Sequence, residues 1–232
     1  FSFNGQPAKL ALFTAFAHLF LRGDLAPLPT VAVGTPEHMV AATLGLSHRV
    51  GIDPKAVKPA DLAAPAGKRL ASADGRAAWD ASDAARAHVV VNTPATRAVW
   101  GLVGGQRFDL GGVGLVVGPV ERDYAVLVLT SLDGRPIETA QRVLLAAVGS
   151  AENSGMTWNA ARTSVGNQWG TGPAQVNGIA AEIALPRRGA RVFALDGRGQ
   201  RAGEVVVNAS GDGSRFAIGP EQRTLWYEIE WR

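Results

Sequence analysis

The chain has 232 residues, a formal net charge of +3 and no cysteine, so it carries no disulfide framework, thiolate metal site or cysteine nucleophile. Hydrophobic residues make up 47% of it, enough to fill a core, and its basic residues are interspersed with acids instead of forming a stripe. This argues against disorder and against a nucleic-acid surface.

The first predicted element is a helix over residues 7–21, PAKLALFTAFAHLFL, with Pro7 in the first turn, Arg22 at the end and Gly23 beyond it. Apolar residues nearly encircle it, so it is expected to be covered by the rest of the chain, a second copy or another domain. It falls short of the roughly 20 apolar residues needed to span a bilayer, and no membrane partner is expected. Residues 24–30 hold Pro27 and Pro29 and read as an extended connector, which places a boundary near residue 30. A short helix is predicted from Thr35 to Gly45. Residues 53–67, with Pro54, Pro59 and Pro65, read as linker.

From residue 68 the pattern changes to short β runs with turn residues between them, the spacing of a sandwich. Strands are predicted at 70–72, 77–80, 88–92, 98–102, 107–110, 113–117, 124–131, 142–148, 174–178, 180–185, 191–195, 203–208, 215–218 and 225–231. Turns at Asp74-Gly75, Gly104-Gly105, Asp133-Gly134, Asp196-Gly197 and Asp212-Gly213 supply residues that tolerate positive φ. The fold class is mainly β, an antiparallel β-sandwich over residues 68–232, preceded by a helical segment at 1–30 and a helical, Pro-rich linker at 31–67. In the last strand Trp226, Glu228 and Glu230 face one way, and Tyr227, Ile229 and Trp231 the other.

The chemistry-bearing residues form no self-sufficient catalytic motif. His18, His38, His48 and His88 have no metal-ligand spacing, residues 101–118 lack a phosphate-binding glycine pattern, and no GxSxG elbow is present. The close acids Asp80 with Asp83, and Glu121 with Asp123, read as loop residues. No cofactor, metal site or catalytic residue is assigned. One segment, residues 152–172, departs from the β background: it is long and polar and holds Trp158 and Trp169 with Asn159, Asn167 and Gln168. Indole faces stack on the C–H faces of sugars while amides bond hydroxyls, so these five are the candidate glycan or interdomain contacts. The competing reading is a loop that packs its tryptophans under itself.

Three stretches carry a family resemblance. The helix and its exit, PAKLALFTAFAHLFLRGDLAP, resemble the last helix of the (β/α)₈ catalytic barrel of large bacterial glycoside hydrolases. VVNTPATRAVWG, residues 125–155 and the terminal LWYEIEW resemble the β-sandwich that follows such a barrel. The resemblance implies a glycoside hydrolase parent, secreted or periplasmic, whose acid/base and nucleophile glutamates lie in barrel strands that this chain does not contain. Phe1-Ser-Phe3 would be the end of the eighth strand. Three functions follow as expectations: a non-catalytic C-terminal region supporting or capping the barrel, a carbohydrate-binding module that takes polysaccharide, or a complete small glycosidase.

Overall fold

The computed structural model describes residues 7–24, 30–34, 49–52, 67–72 and 74–231. The expected helix at 35–45 and the linker at 53–66 lie outside these residues. Helix α1 spans Pro7–Leu21. Gly23, at φ 68°, closes it: Gly23 N–H donates to the Phe20 carbonyl at 3.1 Å and Asp24 N–H to the Leu19 carbonyl at 3.2 Å. Glycine adopts this left-handed turn without a Cβ penalty. Two short strands, β1 (Thr30–Gly34) and β2 (Arg49–Ile52), pair in parallel. Neither stretch is predicted as a strand from the sequence.

The remaining strands are β3 (Arg69–Ala71), β4 (Ala77–Asp80), β5 (His88–Asn92), β6 (Thr96–Leu102), β7 (Arg107–Leu110), β8 (Val113–Val117), β9 (Tyr124–Ser131) and β10 (Arg142–Val148). They continue with β11 (Ala151–Ser154), β12 (Thr171–Val176), β13 (Ala181–Leu185), β14 (Arg191–Leu195), β15 (Arg201–Val205), β16 (Val207–Ser210), β17 (Gly213–Ile218) and β18 (Trp226–Glu230). Among the described residues a nine-stranded sheet runs β15-β14-β18-β10-β9-β6-β5-β4-β3, and a five-stranded sheet runs β16-β17-β13-β8-β7. All their pairings are antiparallel. Residues 203–208, expected as one strand, divide at Val206, where the chain leaves the large sheet for the small one. Val206 belongs to neither sheet and is exposed.

One core lies between the sheets. Leu127, Leu129, Leu145, Tyr227 and Ile229 of the large sheet meet Leu115, Ile183 and Phe216 of the small one. The small sheet alternates buried and half-exposed positions along β8 and β13, so its outer face meets solvent. The central strands β9 and β10 are buried almost throughout, because α1 covers their outer face. Ala15 and Leu19 of α1 pack on Val91, Ala98, Val126, Val128 and Ala146, and Phe16 meets Trp100 edge-to-face at 5.8 Å. Two-sided burial is the physical reason that AVLVLTS and RVLLAAV read as continuous apolar runs.

A polar cluster locks the end of α1 to the same sheet. Arg22 reaches Thr96 Oγ1 at 2.9 Å, Thr130 Oγ1 at 2.7 Å, the Ser131 carbonyl and Asp24 Oδ2 at 2.7 Å. Asp24 also accepts from Thr96 Oγ1 at 2.8 Å. Burial opposes ionisation of Asp24, but the hydrogen bonds from Arg22 and Thr96 and the charge of Arg22 outweigh it and hold the carboxyl below 3.8. Two turn aspartates hold their turns through the side chain: Asp196 accepts from Arg198 N–H and Gln200 N–H at 2.8 Å, and Asp133 from Gln141 N–H at 2.7 Å.

Candidate functional site

The long polar segment is a braced hairpin. β11 and β12 pair antiparallel and form its stem, so the segment expected as irregular begins and ends in strand. Above the stem, Thr157 N–H donates to the Gln168 carbonyl at 3.1 Å, Asn159 N–H to the Ser164 carbonyl at 2.9 Å and Gln168 N–H to the Val165 carbonyl at 2.8 Å. Val165 is buried beneath them. Gly170, at φ 66°, closes the loop where a Cβ would lie 2.3 Å from the Ser154 carbonyl oxygen, so only glycine fits.

The structure divides the five predicted contact residues into two groups. Trp158 is half-buried and points to the base of the hairpin: its Nε1–H donates to Glu152 Oε1 at 3.1 Å, and the Arg122 guanidinium sits 4.5 Å from the ring centroid. Asn159 builds the loop, accepting from Thr163 N–H at 2.9 Å through Oδ1 and donating to Thr163 Oγ1 at 3.1 Å. Asn167, Gln168 and Trp169 are consecutive and exposed, with the indole of Trp169 62% exposed. Their backbone is fixed, since the Trp169 carbonyl accepts from Asn153 Nδ2 at 3.0 Å. Trp158 thus follows the inward reading and Trp169 the outward one.

Glu152 is the hub at the base. Beyond Trp158 it receives Arg122 and, at 3.0 Å, Arg162; the same Arg162 nitrogen reaches Glu121 Oε1 at 3.5 Å. Glu121 in turn accepts from Asn177, whose Nδ2 also donates to Ser150 Oγ at 2.8 Å. Arg122 and Arg162 hold left-handed backbone, φ 60° and 52°, which costs a non-glycine residue strain. Sequence reasoning missed Arg122, Arg162, Glu121 and Asn177 as partners of the tryptophan segment. They converge from the β8–β9 connection, the loop and the end of β12, and no local spacing links them.

Several further acids among the described residues are committed in the same way. Glu138 binds Arg97, Glu182 binds Arg215, Glu204 binds Arg191, Glu228 binds Arg142 and Arg201, and Glu230 binds Arg191 and Arg201. Asp80, expected in a loop, ends β4 and pairs across to Arg69 of β3 at 2.8 Å, while Asp83 caps Ala85 N–H at 2.9 Å in the connection that follows. The carboxyls held below their ordinary values include Asp24, Asp74, Asp80, Asp133 and Glu228. For Glu228, burial works against ionisation and the bonds from Arg201 and Arg142 prevail. Among the described residues no group of three or more His, Asp and Glu converges as a metal site, and no helix is long and apolar enough to cross a membrane. Compared with known proteins, the chain matches no family model, no curated protein and no solved structure.

Proposed function

We propose that this chain is the non-catalytic C-terminal β-sandwich region of a carbohydrate-active enzyme of glycoside hydrolase type, which supports or caps a catalytic barrel. The observation that carries this reading is the two-sided helix α1. Ala15 and Leu19 are buried on the sandwich, while Phe20 and Leu21 are 75% and 87% exposed. Apolar surface left on the side of the helix away from the sandwich suits a second body. The carboxylates support the non-catalytic part: glycoside hydrolysis needs a facing pair, one member keeping its proton, whereas among the described residues the perturbed carboxyls are shifted toward the ionised form. The test is the reading frame upstream of the codon for Phe1. Alternating strands and helices, with glutamates closing the fourth and seventh strands, sustain the proposal; a frame encoding no such barrel removes it. Under this reading the compartment is extracellular or periplasmic.

A second reading, a carbohydrate-binding module, is favoured by the exposed run Asn167-Gln168-Trp169 on a preformed loop. A preordered indole with adjacent amides loses little entropy on meeting a sugar. Affinity electrophoresis in polysaccharide gels tests it: retardation of the wild type that Trp169→Ala abolishes supports the module, and absence of retardation on every polysaccharide tried removes it.

A further inference from the structure

A second candidate binding site lies apart from the hairpin tip. At one end of the sandwich, the connection before β9, the end of β12, the turn after β14 and the connection into β18 enclose a groove of about 720 Å³. That volume falls within the roughly 300–1,000 Å³ typical of small-molecule sites. Val176, Leu195 and the half-buried Trp226 give it apolar walls, and Glu121, Asn177 and Arg223 place polar groups on the same lining. Its walls are fixed against each other: a Cβ on Gly178 would come within 2.8 Å of Pro220 Cα, so these two segments touch through a glycine. Arg223 stands in left-handed backbone at φ 51°, and its guanidinium bonds to no described residue.

We infer that this groove binds a short neutral saccharide. The chemistry selects the class by exclusion. The lining sets one carboxylate, Glu121, against one guanidinium, Arg223, so it offers a phosphate-bearing ligand no net positive charge. A wholly apolar ligand would strip water from Glu121, Asn177 and Arg223 without replacing their hydrogen bonds. A hydroxyl-rich ring answers both: its C–H face lies against the indole and the aliphatic walls, and its hydroxyls donate to the Glu121 carboxylate and to Asn177 Oδ1 and accept from Arg223. The arrangement does not depend on a barrel partner, so it stands or falls separately from the supporting role proposed above.

The experiment titrates the full chain with cellotriose, maltotriose and xylotriose, each followed by heteronuclear NMR shifts and calorimetry. Millimolar binding of at least one, with shifts at Asn177, Arg223 and the Trp226 indole, is expected. Arg223→Gly removes the guanidinium at a backbone position that glycine adopts freely, so it should keep the melting temperature and weaken binding about tenfold, the loss of one charge-assisted bond. Ala174→Trp, which fills the groove from β12, should abolish binding, and Trp169→Ala should leave it unchanged. Failure of all three sugars to bind overturns the inference. So does binding that survives Arg223→Gly undiminished, or binding lost in Trp169→Ala, which would move the site to the hairpin tip.

Discussion

Two additions decorate the sandwich, and they are held by opposite means. Helix α1 and its Arg22–Asp24 exit lie on the large sheet through buried apolar side chains and a polar cluster whose carboxylate side chain is only 9% exposed. The hairpin above β11 and β12 buries little and is ordered by backbone hydrogen bonds, left-handed residues and ion pairs between partly exposed side chains. The difference teaches where each region can change. Burial makes every contact of the helix costly to lose, whereas the hairpin keeps its shape through its turns and leaves its outermost side chains free of structural duty.

The same substitution made in both regions gives the largest expected contrast. Arg22→Ala strands Asp24 and the hydroxyls of Thr96 and Thr130 in a buried site, a loss of about 3–5 kcal/mol in unfolding free energy. Arg162→Ala, removing a guanidinium 48% exposed, should cost less than about 1 kcal/mol. Urea denaturation of both variants checks this, and equal losses would erase the distinction. The helix cluster also titrates. Asp24 has its folded-state value below 3.8, so its stabilising contribution is fully present above that pH and is lost as pH falls through the lowered value. The stability advantage of wild type over Asp24→Asn should therefore be constant near neutrality and shrink only in acid. An advantage that grows on acidification would contradict the assigned direction.

Next in size is the closure of the hairpin. Gly170→Ala forces a Cβ against the Ser154 carbonyl oxygen and holds alanine at positive φ, a cost of roughly 1–3 kcal/mol. Because the sandwich core is untouched, hydrogen exchange should rise at the Thr157, Asn159 and Gln168 amides and stay unchanged in β9 and β10. Faster exchange spread through the sandwich would show the hairpin to be part of the core instead of an addition to it.

The same contrast governs what the sequence reveals. Helix α1, with Pro7 at its start and Gly23 at its close, and strands such as β5, β9 and β10 are legible because local periodicity and turn chemistry agree with the fold. The split at Val206 is not, since a crossing between sheets leaves the apolar pattern nearly intact. β11 is hidden because its residues Ala-Glu-Asn-Ser are poor strand formers, and tertiary pairing with β12 overrides that preference. At the candidate site, Trp158 and Trp169 stand out by composition. Their opposite orientations depend on Arg122 and Glu152, 30 positions apart, and on where the hairpin folds back.

The smallest expected stability change carries the sharpest functional meaning. Trp158 is held by its indole bond to Glu152 and by Arg122 over its ring, and Trp158→Ala removes both together with half-buried surface. A loss of roughly 1–3 kcal/mol follows, less than for a fully buried indole because part of the ring already meets water. Trp169 makes its fixed contact through its backbone carbonyl, which alanine retains, and its ring is 62% exposed. Trp169→Ala should therefore stay within about 0.5 kcal/mol of wild type, as surface substitutions do. The two thermal denaturation curves decide the orientation. If Trp169→Ala destabilises as much as Trp158→Ala, both indoles serve the hairpin's own packing and the tip offers no platform. A silent Trp169→Ala leaves an indole kept exposed on an ordered loop with no role in folding, the condition a residue must meet to be reserved for a sugar or a neighbouring domain.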